Sequence, residues 1–370
     1  MAAWGGRQRS AVDGRSDLAG LRRAGNAAAD GALAALRLPG YNDRRFMISS
    51  ALLGCALMKD GPMKITHITR RDAAALCAGL GVSLAAPAVL AQPTGLLARR
   101  IPHGNGETLP AVGVGTVNVF DVGPGPQERA GPTAVVRALI EGGGKLIDTA
   151  PSYNRAEAVV GDVLAATGLR PRAFIATKLE RFRPGQLLAE ARECLTRLKT
   201  EKIDALQLHN VRDPNQSLAE LNALKAQGLI RYNGITTTFG GAYAACEAIV
   251  RREKPDFVEV DYAIDNRDVE ERILPACAEA GSAVLCALPF GRGSLFRKAL
   301  GKPLPDWAAE FDCKSWAQFF LKYLLANPTV TVVIPGTSNP EHMTDNLGAA
   351  RGRLPDAAMR ARMIAHVQAL

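Results

Sequence analysis

Leu146-Ile147-Asp148-Thr149-Ala150-Pro151-Ser152-Tyr153 ends a short apolar run on an aspartate and places a tyrosine five residues further on. Two later runs have the same form. Phe174-Ile175-Ala176-Thr177-Lys178 closes on a lysine, and Leu206-Gln207-Leu208-His209 closes on a histidine. Polar groups standing at the C-terminal ends of separate short apolar segments are what the catalytic face of a (β/α)8 barrel supplies.

Apolar runs suited to buried parallel strands recur at 111–115, 145–148, 173–178, 205–209, 232–236, 257–261, 283–287 and 331–334. Helical patterns lie between and after them, near 131–142, 155–167, 185–198, 217–227, 240–252, 268–280, 315–326 and 339–349. Pro184 opens the helix at 185–198, and Ser217-Leu218-Ala219-Glu220 has the spacing of a capping box. Gly142–Gly144, Gly228 and Gly281 follow helices. A preceding hairpin is read over 99–110, with Gly104-Asn105-Gly106 at its turn. Eight strand–helix pairs predict an α/β fold, a TIM barrel with an N-terminal β-hairpin. A doubly wound dinucleotide-binding sheet would carry a third glycine after Gly113-Val114-Gly115, and the stretch 120–131 reads as a Pro/Gly loop instead.

Forty-seven percent hydrophobic and 22 percent charged residues describe an ordinary globular chain. Its net charge of +9 is unevenly placed. Residues 1–91 hold twelve Lys/Arg against six Asp/Glu, so the remaining 279 residues carry only 33 against 30. That balance gives no basic footprint for nucleic acid on the folded body. Seven cysteines show neither CxxC nor metal-ligand spacing, and Cys246, Cys277 and Cys286 read as small buried hydrophobes.

The excess charge belongs to a leader. Residues 1–62 form an unstructured or over-extended region, and Met63 begins a polar, basic segment containing Arg70-Arg71. Nineteen uncharged residues, 73–91, follow and end in Val89-Leu90-Ala91, with small residues at the −3 and −1 positions of a cleavage site. The segment 63–91 resembles a twin-arginine export signal. It implies the export machinery as a partner, a periplasmic location (cytoplasmic if the leader is not functional) and no stable membrane anchor, with the barrel over 92–370.

From about Arg99 to Pro355 the chain resembles the aldo-keto reductases. The run 147–153 is similar to that family's first signature, and Ile334-Pro335-Gly336-Thr337-Ser338-Asn339-Pro340-Glu341-His342 to its last. Lys178 and His209 fall where the family carries its other two catalytic residues. The resemblance implies an NAD(P)H-dependent reduction of an aldehyde or ketone, with Tyr153 as general acid, Lys178 and Asp148 tuning it, and His209 orienting the carbonyl. The chemistry agrees, because a phenol with a pKa near 10 needs a nearby ammonium to become a better acid.

The resemblance also implies cofactor contacts at Thr236, Thr237, Glu259, Leu288, Gly291, Gly336, Thr337, Ser338, His342, Asp345 and Asn346. Several depart from the family pattern. Thr236-Thr237 stand for a Ser-Asn pair, Glu259 for a glutamine, Ala287 for a stacking tyrosine and Gly336 for a lysine. NADP is expected ahead of NAD, because Thr337, Ser338 and the helix start at Asn339 offer a phosphate site. The altered positions leave a second reading open, a non-catalytic nucleotide-binding barrel acting as redox sensor or partner subunit. The substrate is a small carbonyl compound, with Phe120, Phe290, Phe296 and Trp307 as walls of its pocket.

Overall fold

Residues 95–180 and 185–370 are described in a computed structural model; the regions read as 1–62 and 63–91, and Pro184, lie outside them. β1 (Ala98–Arg100) and β2 (Thr108–Pro110) pair antiparallel, Arg99 opposite Leu109. Asn105 (φ 49°) and Gly106 (φ 92°) turn the hairpin through the left-handed region.

Eight parallel strands then lie side by side in sequence order: β3 (Val114–Gly115), β4 (Leu146–Asp148), β5 (Phe174–Leu179), β6 (Ile203–Leu208), β7 (Ile230–Thr237), β8 (Phe257–Asp261), β9 (Ala283–Ala287) and β10 (Val330–Val333). Bridges Val112–Val333 and Gly115–Gly336 join the last strand to the first, and the Gly113 N–H donates to Val333 C=O at 2.9 Å. The sheet therefore closes as a (β/α)8 barrel, as the run of buried apolar segments predicts.

The crossover helices are α1 (Pro126–Glu141), α2 (Ala156–Thr167), α3 (Leu187–Arg197), α4 (Ala219–Ala226), α5 (Tyr243–Glu253) and α6 (Ile273–Ala280). After β9 come a short α7 (Ser294–Ala299) and then α8 (Trp316–Leu325); α9 (Pro340–Gly348) and α10 (Ala357–Gln368) follow β10. Two expectations need correcting, and one helix was not foreseen. The supposed loop at 120–131 contains the first turns of α1: Pro126 takes the N1 position, where its missing N–H costs nothing, and the helix runs on through Pro132. Ser217 accepts from Ala219 N–H at 3.1 Å, but Glu220 turns to Gly185 N–H rather than closing a capping box. The tail beyond Pro355 folds as α10, with the Asp356 side chain accepting from Met359 N–H at 2.8 Å. Only Met363 and Val367 of that helix are buried, so it leaves little apolar periodicity to read.

Alternation along the strands separates two layers of core. Side chains facing the helices form the larger cluster. Those facing the barrel axis include Phe174, Tyr232 and Phe257, whose rings lie 5.5–6.0 Å apart. Ile101 and Leu109 of the hairpin belong to the same interior cluster, so the hairpin packs into the barrel's core. The five described cysteines are free and buried, as small hydrophobes are.

Candidate active site

In β5 the residues facing inward are Phe174, Ala176 and Lys178, one pleat apart. Lys178 thus reaches the axis at the C-terminal end of the strand, wholly buried. Its ammonium donates to Asp148 Oδ1 at 2.6 Å and to Thr149 C=O at 3.1 Å, and lies 3.2 Å from Glu259 Oε2. Gln207 Nε2 donates to that same Glu259 oxygen at 3.0 Å. Four strands therefore contribute one polar layer, Asp148–Lys178–Glu259–Gln207, resting on the apolar interior.

Two carboxylates share one ammonium in this layer. Burial and the neighbouring Glu259 charge raise the Asp148 pKa well above the ordinary range, against the pull of Lys178. Burial alone would lower Lys178, but Asp148, Glu259 and Tyr153 outweigh it and raise its pKa, so the ammonium stays charged. Tyr153 is mostly buried, with its ring centroid 5.3 Å from Lys178 Nζ and edge-on to His209 at 6.1 Å. Its pKa is raised: desolvation leads, Lys178 opposes, and Asp148 and Glu259 add to the rise. The expected lowering of the phenol by Lys178 is present but does not win, because burial of the phenol outweighs it and the two carboxylates add to the rise.

His209 joins the same mouth. Its Nδ1 lies 2.5 Å from Glu180 Oε1, which also accepts the Ser152 hydroxyl at 2.7 Å. The fold thus gathers all four predicted reaction-centre residues. Glu180 and Gln207 were not singled out from the sequence. Period-two alternation was the available signal, since Glu180 stands two residues after Lys178 and Gln207 two before His209.

The cofactor positions surround this centre unevenly. Thr236 Oγ1 accepts from Asn210 N–H at 2.8 Å, whereas Thr237 Oγ1 and Gln207 Oε1 are buried with no hydrogen-bond partner. Leu288 (φ 54°) and Gly291 (φ 55°) bend the chain sharply after β9. Gly336 lies against the barrel seam, where a Cβ would stand 3.3 Å from Gly115 C=O; a lysine there would press on the backbone that closes the sheet. Thr337 Oγ1 accepts from Asn339 N–H at 3.1 Å, and Asn339 Oδ1 from Glu341 N–H at 2.8 Å. Ser338 and His342 are exposed, and Asn346 is buried. Asp345 accepts from Ser315 and Gln318 at 2.6 and 2.7 Å, tying α9 to the start of α8.

Of the aromatic walls, Phe120 is wholly buried in the core, and Trp307 packs with Phe311, Phe319 and His366. Phe290 and Phe296 pair at 4.7 Å with Phe296 partly exposed. No helix among the described residues is long and apolar enough to cross a membrane.

A methylglyoxal reductase of Escherichia coli (strain K12), YeaE, is 28% identical over 259 residues, covering 68% of this chain and 89% of its own. The fold matches the crystal structure of an aldo-keto reductase from Klebsiella pneumoniae in complex with NADPH, with a TM-score of 0.61, 24% identity, and coverage of 74% of this chain and 96% of that one. An aldo-keto reductase from Bacillus halodurans in its holo form matches at a TM-score of 0.59 and 24% identity, with the same coverage. Residues 111–363 match the aldo/keto reductase family itself. That match spans the eight barrel strands and the four residues gathered at their ends, and the chain belongs to the aldo/keto reductase family.

Proposed function

We propose that this protein reduces a small aldehyde or ketone to the alcohol with NADPH, Tyr153 giving the proton. The observation that carries this reading is the convergence of Tyr153, Lys178, Asp148 and His209 at one end of the barrel interior. The nicotinamide cofactor, when bound, supplies the hydride. As the carbonyl carbon takes it, the C=O π pair passes to oxygen, and Tyr153 Oη transfers its proton there. Lys178 holds the phenolate that results, and Asp148 keeps Lys178 in place. Burial raises the phenol pKa, so Tyr153 stays protonated through neutral pH, the form that gives a proton to an alkoxide.

One orphaned buried atom bears on the cofactor's fit. Gln207 Oε1, on the axis-facing side of β6, is a carbonyl acceptor with no partner. It would accept from the nicotinamide amide, while Ser338 before α9 and His342 in its first turn are exposed for the nucleotide's phosphate. The NADPH bound in the Klebsiella pneumoniae structure supports this choice of nucleotide, and the Escherichia coli relative supports methylglyoxal among the first substrates to test. Residues 63–91 support export through the twin-arginine route to the periplasm.

The test is turnover of a panel of aldehydes and ketones, methylglyoxal included, followed by nicotinamide absorbance. Tyr153→Phe is expected to lose roughly 10²–10⁴-fold in kcat with NADPH affinity unchanged. Undiminished turnover in that variant overturns the assignment. NADPH binding with no turnover across the panel would instead favour the sensor reading, which the altered positions 236, 237, 259 and 287 support.

A further inference from the structure

His209 is held in a way that the four-residue centre does not require. Glu180 Oε1 takes both His209 Nδ1, at 2.5 Å, and the hydroxyl of Ser152, at 2.7 Å. Ser152 precedes Tyr153, so one carboxylate oxygen links the loop carrying the phenol to the ring facing it. Glu180 is itself anchored: its backbone N–H donates at 2.7 Å to Glu190 Oε1, a nearly wholly buried side chain of α3. Burial would raise the Glu180 pKa, but the hydrogen bonds from His209 and Ser152 outweigh it and lower it, so the carboxylate stays ionised.

An ionised carboxylate only accepts. The proton between the two groups therefore belongs on Nδ1, and Nε2 is the nitrogen left for a substrate. With both nitrogens protonated, Nε2–H donates to a carbonyl oxygen while Glu180 balances the ring's charge. With one proton gone, Nε2 becomes a bare acceptor and that donation ends. The same division of labour operates where a carboxylate orients a histidine beside a nucleophile.

We propose that Glu180 is a positioning residue of the reduction, fixing His209 through Nδ1–H and balancing the charge of the doubly protonated ring, whose Nε2–H meets the carbonyl oxygen. The inference rests on the reductase reading above. Other charges face the pair. Asp148, Lys178 and Glu259 form the layer beneath Tyr153, and Arg212, Asp213 and Glu220 line the same cavity of about 630 Å³ as Glu180 and His209. Glu180→Gln leaves all of these in place and removes one charge, so the variant isolates this carboxylate.

The experiment uses the full chain labelled with ¹⁵N-histidine, together with methylglyoxal reduction by NADPH measured from about pH 5 to pH 9, across the range in which histidine titrates. In the wild type, the neutral ring of His209 should carry its proton on Nδ1; in Glu180→Ala the proton should move largely to Nε2. Glu180→Gln should lower kcat about tenfold, less than the roughly 10²–10⁴-fold of a group that itself transfers the proton, with the alkaline limb of its profile shifted to lower pH and the KM for NADPH unchanged. An unmoved tautomer in Glu180→Ala overturns the proposal, as does a Glu180→Gln profile that keeps its shape. A fall in NADPH affinity matching the fall in kcat would mark Glu180 as structural only, and would overturn it equally. If the wild type turns over no substrate, the reductase reading fails on its own, and the tautomer still decides whether Glu180 fixes the ring.

Discussion

Burying an ammonium is tolerable only while its charge and its hydrogen bonds are met, and Lys178 has both through Asp148, Glu259 and Thr149 C=O. Lys178→Met would leave two carboxylates facing each other in the barrel. We expect it to cost about 3–5 kcal/mol in urea unfolding, the range for breaking a buried pair. Asp148→Asn should cost less than half as much, because Glu259 still pairs with the lysine and the excess negative charge is relieved. Equal losses in the two variants would show that Glu259 does not share the ammonium. Asp148, Lys178 and His209 were legible because each closes an apolar run, and a polar residue there has few reasons to exist other than the strand end. Glu180 and Gln207 were less so, because alternation gives only the face each shares with Lys178 or His209, and their partners come from other strands or loops once the sheet has formed.

At the level of elements, the strands were read from apolar runs to within a residue or two, except β3, which is shorter than expected because its neighbouring residues close the seam through isolated bridges. Helix ends were less legible where proline or a capping side chain decides them, as at Pro126, Ser217 and Asp356. Gly161 in α2 carries information that helix propensity hides. A Cβ there would lie 2.2 Å from Arg197 C=O and within 3 Å of the Leu198 backbone, so α2 packs directly on the end of α3. In an open helix Gly→Ala stabilises by about 1 kcal/mol. Here Gly161→Ala should instead destabilise by roughly 1–3 kcal/mol, as overpacking does, and a rise in Tm would refute the contact. Leu109, buried in the interior cluster, should cost about 2–5 kcal/mol as Leu109→Ala while leaving the KM for NADPH unchanged.

Over the whole molecule, the near-neutral balance of residues 92–370 and the basic excess of residues 1–91 divide the chain by charge. If the leader acts as proposed, Arg70→Lys with Arg71→Lys should hold the protein in the cytoplasm, and the exported wild type should begin at Gln92 by N-terminal sequencing. A mature form that retains residues before 92 would contradict this cleavage site. The cluster of Asp148, Tyr153, Lys178 and His209 shows where sequence stops and folding begins. Short apolar runs, their spacing and the polar residues that end them already determined a closed parallel barrel with a phenol, an ammonium and an imidazole at one face, because backbone alternation and burial are local consequences of residue type. Which acid partners which base was settled only by tertiary structure. Glu259 lies 81 residues from Lys178 and Glu180 29 from His209. Their effect on the phenol and on the histidine arises from burial and from distances of a few ångströms, and those come into being only when the sheet closes on itself.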